Sequence, residues 1–172
     1  MSQARLESLR KVIREAFGFF DKLGNATVTQ EEVATIMRYL GQFPSEQDVV
    51  EVILREIQDD DPSNVVSYDA FEKMMLRCLM EREYDPDDSE TLLAAFKVLD
   101  PDGKGYIEVD KMKEYLGSGA VGFREKEWAE FYEYAKDRDP NNTNRIYYED
   151  YVAKLTTFVD KHIETLYADA KK

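Results

Sequence analysis

The chain is short of the residues on which catalytic and cross-linked proteins depend. Its 172 residues include one cysteine, one histidine and one tryptophan, with eight glycines and five prolines. A lone cysteine, Cys78, cannot form an internal disulfide, which suits a reducing compartment. It falls in the run Phe71, Met74, Met75, Cys78 at helical spacing, the placement of a small buried hydrophobe. The single histidine, His162, lies far away in the C-terminal helix, so the two make no nucleophile–base pair. No glycine-rich phosphate loop is present either, and no enzyme is expected. No apolar stretch approaches the ~20 residues of a membrane span. Behind Met1-Ser2-Gln3-Ala4-Arg5 there is no apolar core of a signal peptide. The expectation is a soluble intracellular protein.

Basic residues are the other shortage. Lysine and arginine number 23 against 36 aspartates and glutamates, a net charge of −13. That balance speaks against nucleic acid and anionic membranes as partners and for a basic one, such as a cationic helix. A hydrophobic content of 43% is that of a folded chain. The length allows one domain or two small ones.

What the chain does have is a repeat. Four twelve-residue segments begin at Asp21, Asp59, Asp100 and Asp139, about 40 residues apart. Helical patterns flank them: Leu9, Val12, Ile13, Ala16, Phe17 and Phe20 form one apolar face, and Val33, Ile36, Met37 and Leu40 the next. Gly41 closes the second helix, and Ser45 with Asp48 forms a capping pair for a third. Position eight of every segment is aliphatic: Val28, Val66, Ile107 and Ile146. This is the outline of an EF-hand calcium loop. The fold expected is all-α, a two-lobed calmodulin-like protein of two EF-hand pairs. Each pair carries a short two-stranded loop ribbon, Val28 with Val66 and Ile107 with Ile146. Residues 1–81 form the first pair, 82–89 a linker broken at Pro86, and 90–172 the second pair with an extended last helix. Ser89 is the expected cap of the helix after the linker. Tyr151, Val152, Leu155, Phe158, Val159, Ile163, Leu166 and Tyr167 continue an apolar stripe along that last helix, to lie on its own lobe or to meet a neighbouring protein.

A working loop needs oxygens at positions 1, 3, 5, 7, 9 and 12, the last a bidentate glutamate, with glycine at 6. The first loop keeps Asp21, Asn25 and Glu32 but has Leu23 at position 3 and Ala26 at position 6. The second offers Asp59, Asp61 and Ser63 and ends in the methyl of Ala70; its preceding helix carries one extra residue, since Ile57 comes one place early. The third keeps Asp100, Asp102 and Gly105 but sets Lys104 and Lys111 at positions 5 and 12, where their ammonium groups repel a cation and pair with Asp100 and Asp102. The fourth is the best metal candidate, with Asp139, Asn141, Thr143, the Arg145 carbonyl and Asp150. Asp150 is one methylene short of glutamate, which tilts the site toward magnesium or weak calcium. Asn144 at position 6 tolerates a left-handed backbone. A register opening at Asp137 is the alternative. No cofactor is required by this reading, and at most one weak calcium or magnesium is expected.

The run Ala16-Phe17 to Phe20-Asp21-Lys22, followed by Met37-Arg38-Tyr39-Leu40-Gly41-Gln42 and Pro44-Ser45-Glu46, resembles calmodulin's first EF-hand and the start of its second helix pair. Met80-Glu81-Arg82-Glu83-Tyr84-Asp85-Pro86, then Leu92 through Asp100, and Asp139-Pro140 leading to Ile146 through Tyr151, resemble the family of subunit 8 of the ciliary nexin–dynein regulatory complex. That resemblance implies a cytoskeletal protein of the cilium or flagellum axoneme, clasping amphipathic or IQ-like helices of coiled-coil subunits. Acidic lobes with apolar grooves suit such helices. The residues expected to meet them are Phe20, Met37, Met74, Met75, Phe96, Met112, Trp128, Phe131 and Phe158. A calcium-responsive sensor or a motor light chain, acting through loop four or loop one, is the alternative.

Overall fold

A computed structural model describes residues 2–58, 64–119, 122–136, 139, 141 and 143–168. Helix α1 (Gln3–Gly18) leads through the first loop to β1 (Thr27–Thr29) and α2 (Gln30–Tyr39). The next helix runs as α3 (Glu46–Asp48), a π-helical turn (Val49–Ile53) and α4 (Leu54–Ile57), and is followed by β2 (Val65–Ser67) and α5 (Tyr68–Glu81). The π-turn takes up the extra residue evident in the sequence, because each wider turn holds one residue more than an α-turn. The second half repeats the plan: α6 (Ser89–Leu99), β3 (Ile107–Glu108), α7 (Val109–Gly117), α8 (Glu125–Ala135), β4 (Arg145–Ile146) and α9 (Tyr148–Leu166). Among the described residues no helix is long and apolar enough to cross a membrane.

The strands pair two by two and antiparallel, with Val28 opposite Val66 and Ile107 opposite Ile146. These are the pairings the position-eight aliphatics predict. Helix starts follow their capping residues: Thr29 with Glu32 and Ser45 with Asp48 each close a capping box. Helix α5 ends with Arg82 in the left-handed conformation, and α6 begins only at Ser89. The cap of α6 is Asp88, whose carboxylate accepts the Thr91 N–H at 2.8 Å, one residue before the expected Ser89.

The chain divides into two compact units, Met1–Pro86 together with Val159–Lys172, and Asp87–Phe158. The end of the last helix therefore belongs with the first EF-hand pair, where the sequence had assigned all of 90–172 to the second. The physical reason is apolar: Ile163, Leu166 and Tyr167 pack against the first unit's core, which Phe17, Ile36, Met37, Phe71, Met74 and Met75 fill. Cys78 is fully buried in the same core, and burial pushes its thiol up to about 12. The second unit's core is smaller, built on Ile107, Val109, Met112, Trp128, Ala135, Ile146 and Tyr148.

Candidate functional site

The four loops keep the backbone of an ion site more faithfully than its side chains. Position six is left-handed in every one: Ala26 at φ 60°, Asn64 at 52°, Gly105 at 80° and Asn144 at 60°. Glycine and asparagine enter that region readily, whereas alanine strains to do so. The first aspartate of a loop holds this turn shut. Asp21 accepts the Asn25 and Ala26 N–H groups at 3.2 and 2.9 Å, and Asp100 accepts that of Gly105 at 2.8 Å. In loop four Asp139 takes the Thr143 hydroxyl at 2.8 Å, and the Thr143 N–H leads the bonds that hold its carboxyl below the usual range.

Side chains occupy much of the remaining donor set. In loop one the Lys22 ammonium lies 3.2 Å from Glu32, the glutamate that would grip an ion. The other oxygen of Glu32 accepts the Thr29 N–H at 3.0 Å, the leading cause of its lowered pKa. Leu23 points to solvent, 84% exposed. Lys22 sits at position two, outside the ligand positions, so it escapes a ligand-by-ligand reading; a cation beside the first aspartate and ten residues before the glutamate is the signal that finds it. In loop three Lys104 pairs with Asp102 at 2.9 Å, as expected. Lys111 does not complete a pair with Asp100 but sits over the Tyr115 ring at 5.5 Å. Asp100 is held instead by the Tyr148 hydroxyl at 3.0 Å, reaching across from the start of α9. Asp59, Asp61 and Ser63 of loop two, and Asp137 of the alternative register, lie outside the described residues.

In each of loops one and three a lysine thus pairs with one carboxylate of the donor set, Glu32 and Asp102. Loop four fits a divalent ion better: Asp139, Asn141, Thr143 and Asp150 carry oxygens, and no lysine stands at a ligand position. Its own side chain at position seven turns away, the Arg145 guanidinium lying over the Tyr106 ring at 4.1 Å. Among the described residues no three His, Cys, Asp or Glu side chains converge as a metal group.

The residues expected to meet a partner divide by unit. Met37, Met74 and Met75 are at most 1% exposed, and Phe20 is half-buried against the same core. The three methionines therefore line no open surface. The C-terminal segment of α9 lies among the residues that cover their core, which sequence alone did not place. In the second unit Met112 and Trp128 are buried, Phe96 and Phe131 half-buried and Phe158 62% exposed. Rings form a continuous chain there: Tyr148 stacks on Phe96 at 5.6 Å, Phe96 meets Tyr151 at 5.8 Å, Tyr151 meets Phe131 at 5.3 Å, and Phe131 meets Trp128 at 5.6 Å. Helix α6 carries Leu92, Leu93, Ala94, Ala95, Phe96, Val98 and Leu99, yet none of its residues is fully buried, and Val98 is 79% exposed. Phe123 is exposed beside Phe131. The glutamates on the exposed side of α8 each have a cationic partner, Glu125 with Lys113, Glu127 with Arg124, Glu130 with Lys126 and Glu133 with Lys136. The arrangement leaves apolar side chains of the second unit open to solvent.

The family model for an EF-hand domain pair matches residues 82–156. Dynein regulatory complex protein 8 of Mus musculus is 34% identical over 90% of this chain and 92% of its own length. Dynein regulatory complex protein 8 of Chlamydomonas reinhardtii is 31% identical over 87% and 91% of the two chains. Among solved structures, the Physarum polycephalum myosin II regulatory domain superposes with a TM-score of 0.67 at 21% identity, covering 85% of this chain and 93% of its own; that likeness is one of fold.

Proposed function

The chain belongs to the dynein regulatory complex protein 8 family, and from that premise we propose that it is a non-catalytic, axonemal subunit of such a complex. Its second EF-hand pair holds an amphipathic or IQ-like helix of a coiled-coil partner subunit, does so without calcium, and so helps to regulate ciliary or flagellar motility. The observation that carries this reading is α6, an apolar helix whose side chains its own unit buries only in part. A helix laid on its half-buried face would finish covering Leu92, Leu93 and Phe96, and each large apolar side chain fully removed from water contributes about 1.5–3 kcal/mol. The chain's net charge of −13 favours a basic helix and speeds its encounter. Stiff aromatic side chains favour one fixed partner over many. Calcium independence is supported by Lys22 on Glu32 and Lys104 on Asp102, internal cations where an ion would sit. Loop four remains as a weak magnesium or calcium site that the clasp does not need.

The test is isolation of the assembled complex from axonemes carrying a tagged chain. Retention in excess calcium chelator, with loss of at least about ten-fold of the captured partner on Phe158→Asp, on the stripe of α9 whose Tyr151 meets Phe96, is expected. The substitution lies on the surface, so stability should stay within about 0.5 kcal/mol. Release of the chain by the chelator would overturn the calcium-free clasp.

A further inference from the structure

Within the first unit the end of α9 meets the C-terminus of α2 through polar as well as apolar contacts. Helix α2 ends at Tyr39, leaving carbonyls at its C-terminus with no partner in the helix. Two of these are met by side chains of α9. The His162 Nε2 lies 2.7 Å from the Tyr39 carbonyl oxygen, and the Tyr167 hydroxyl donates to the Leu40 carbonyl at 2.7 Å in a buried bond. Between them Ile163 presses onto Gly41, where a Cβ would stand 2.9 Å from its Cγ1. Gly41 is thus required twice, for its φ of 79° and for the room it leaves. The Tyr39 ring meets the His162 ring at 5.2 Å, and Leu166 packs with Ile163 on the methionine-containing core. Two carbonyls, a bare backbone and an apolar floor match one helix face at spacings i, i+1, i+4 and i+5. Surface stickiness alone would supply the apolar contact but not the paired polar ones.

We propose that this C-terminal helical segment is a built-in plug of the first unit's groove, and that the groove is a second helix-binding site which opens when the plug withdraws. The site would take helices of the plug's own chemistry: an isoleucine against Gly41, and a tyrosine four residues on to reach the Leu40 carbonyl. The proposal goes beyond the reading above, which concerns the second unit, and does not depend on it. Exchange of the plug also gives the chain a way to admit a second partner only when something else holds its C-terminus.

The experiment uses full-length chains and a fluorescein-labelled synthetic peptide of residues 155–168, read by fluorescence anisotropy. The double variant Ile163→Asp/Tyr167→Ser should bind the peptide at least ten-fold more tightly than the unsubstituted chain. A peptide bearing Ile163→Asp should lose that binding, and Tyr167→Phe in the labelled peptide should weaken it roughly five-fold, the worth of one hydrogen bond. Equal binding by both chains, or no binding by the double variant while its circular dichroism keeps the helical content, overturns the proposal. Should the double variant unfold, methyl NMR of the unsubstituted chain decides: cross-peaks from the Tyr167 ring to Leu40 are expected, and their absence is equally fatal.

Discussion

The two EF-hand pairs share a plan and differ in how they close it. Among the described residues, twenty-one buried side chains make the core of the first unit and seven that of the second, a gap wider than their difference in length explains. The first unit has methionines and aliphatics packed to near-zero exposure and draws in Ile163, Leu166 and Tyr167 to finish the job. The second relies on rings that touch at an angle or stacked, several of them half-open, and leaves its most apolar helix only half covered. One repeat closes its core almost completely and the other leaves part of its apolar surface open, as the division of labour proposed above requires. A duplicated motif can divide labour in this way because the loop ribbons fix each pair independently of what covers its helices.

The difference can be broken most sharply in the cores. Phe71→Ala removes a fully buried ring from the first unit and should cost about 3–5 kcal/mol. Phe131→Ala removes a half-buried one from the second and should cost about 1–2 kcal/mol, the smaller because less area leaves water on folding. Trp128 is the only tryptophan and lies in the second unit, so its fluorescence in a denaturant titration reports that unit while far-ultraviolet dichroism reports the whole. Equal costs for the two substitutions would erase the distinction.

Acid should separate the units next. Bonds from the Thr143 N–H and hydroxyl hold the Asp139 carboxyl low, and at Asp100 burial is outweighed by the Lys104 and Gly105 N–H groups and the Tyr148 hydroxyl. Both folded-state values are depressed, so their stabilisation is complete above the unfolded aspartate value of about 3.9 and drains away as pH falls through the lower folded values. With few buried side chains in reserve, the second unit should lose its Trp128 signal in that window before the far-ultraviolet signal falls. Coincident transitions would show that the cores, rather than the loops, set acid stability.

The smallest effect concerns ions. Asp150→Glu restores the length that position twelve needs and should raise calcium affinity of loop four roughly ten-fold in calorimetry. Leu23→Asp adds a carboxylate to loop one but leaves Lys22 on Glu32, so its gain should be smaller. A larger gain in loop one would mean that Lys22 yields to calcium without cost.

Much of this was legible in the residues. The aliphatic at position eight predicts the ribbon because period-two pairing needs one inward side chain per strand, and Val28–Val66 and Ile107–Ile146 are found. The early Ile57 announces an irregular helix, and Asn144 a left-handed turn. Other features were not legible. An apolar stripe through Ile163 and Tyr167 says that α9 has something to bury but not which surface receives it. Met37, Met74 and Met75 have the composition of an adaptable groove, and composition does not tell a groove from a filled one. The partners of Lys22 and Lys111 depend on rotamers that spacing leaves open.

The wide turn at Val49–Ile53 has an effect on how this repeat can change length. A residue inserted into a regular helix rotates everything after it by about 100°, enough to swing an inward side chain toward solvent. Here the chain dissipates that phase error within five residues, and Ile53 and Ile57 still face inward. Upstream and downstream halves of the helix are thereby uncoupled in angle while remaining one rod. An insertion that would ordinarily scramble the packing of a lobe becomes a local dislocation, as in a crystal that absorbs an extra half-plane and keeps its lattice.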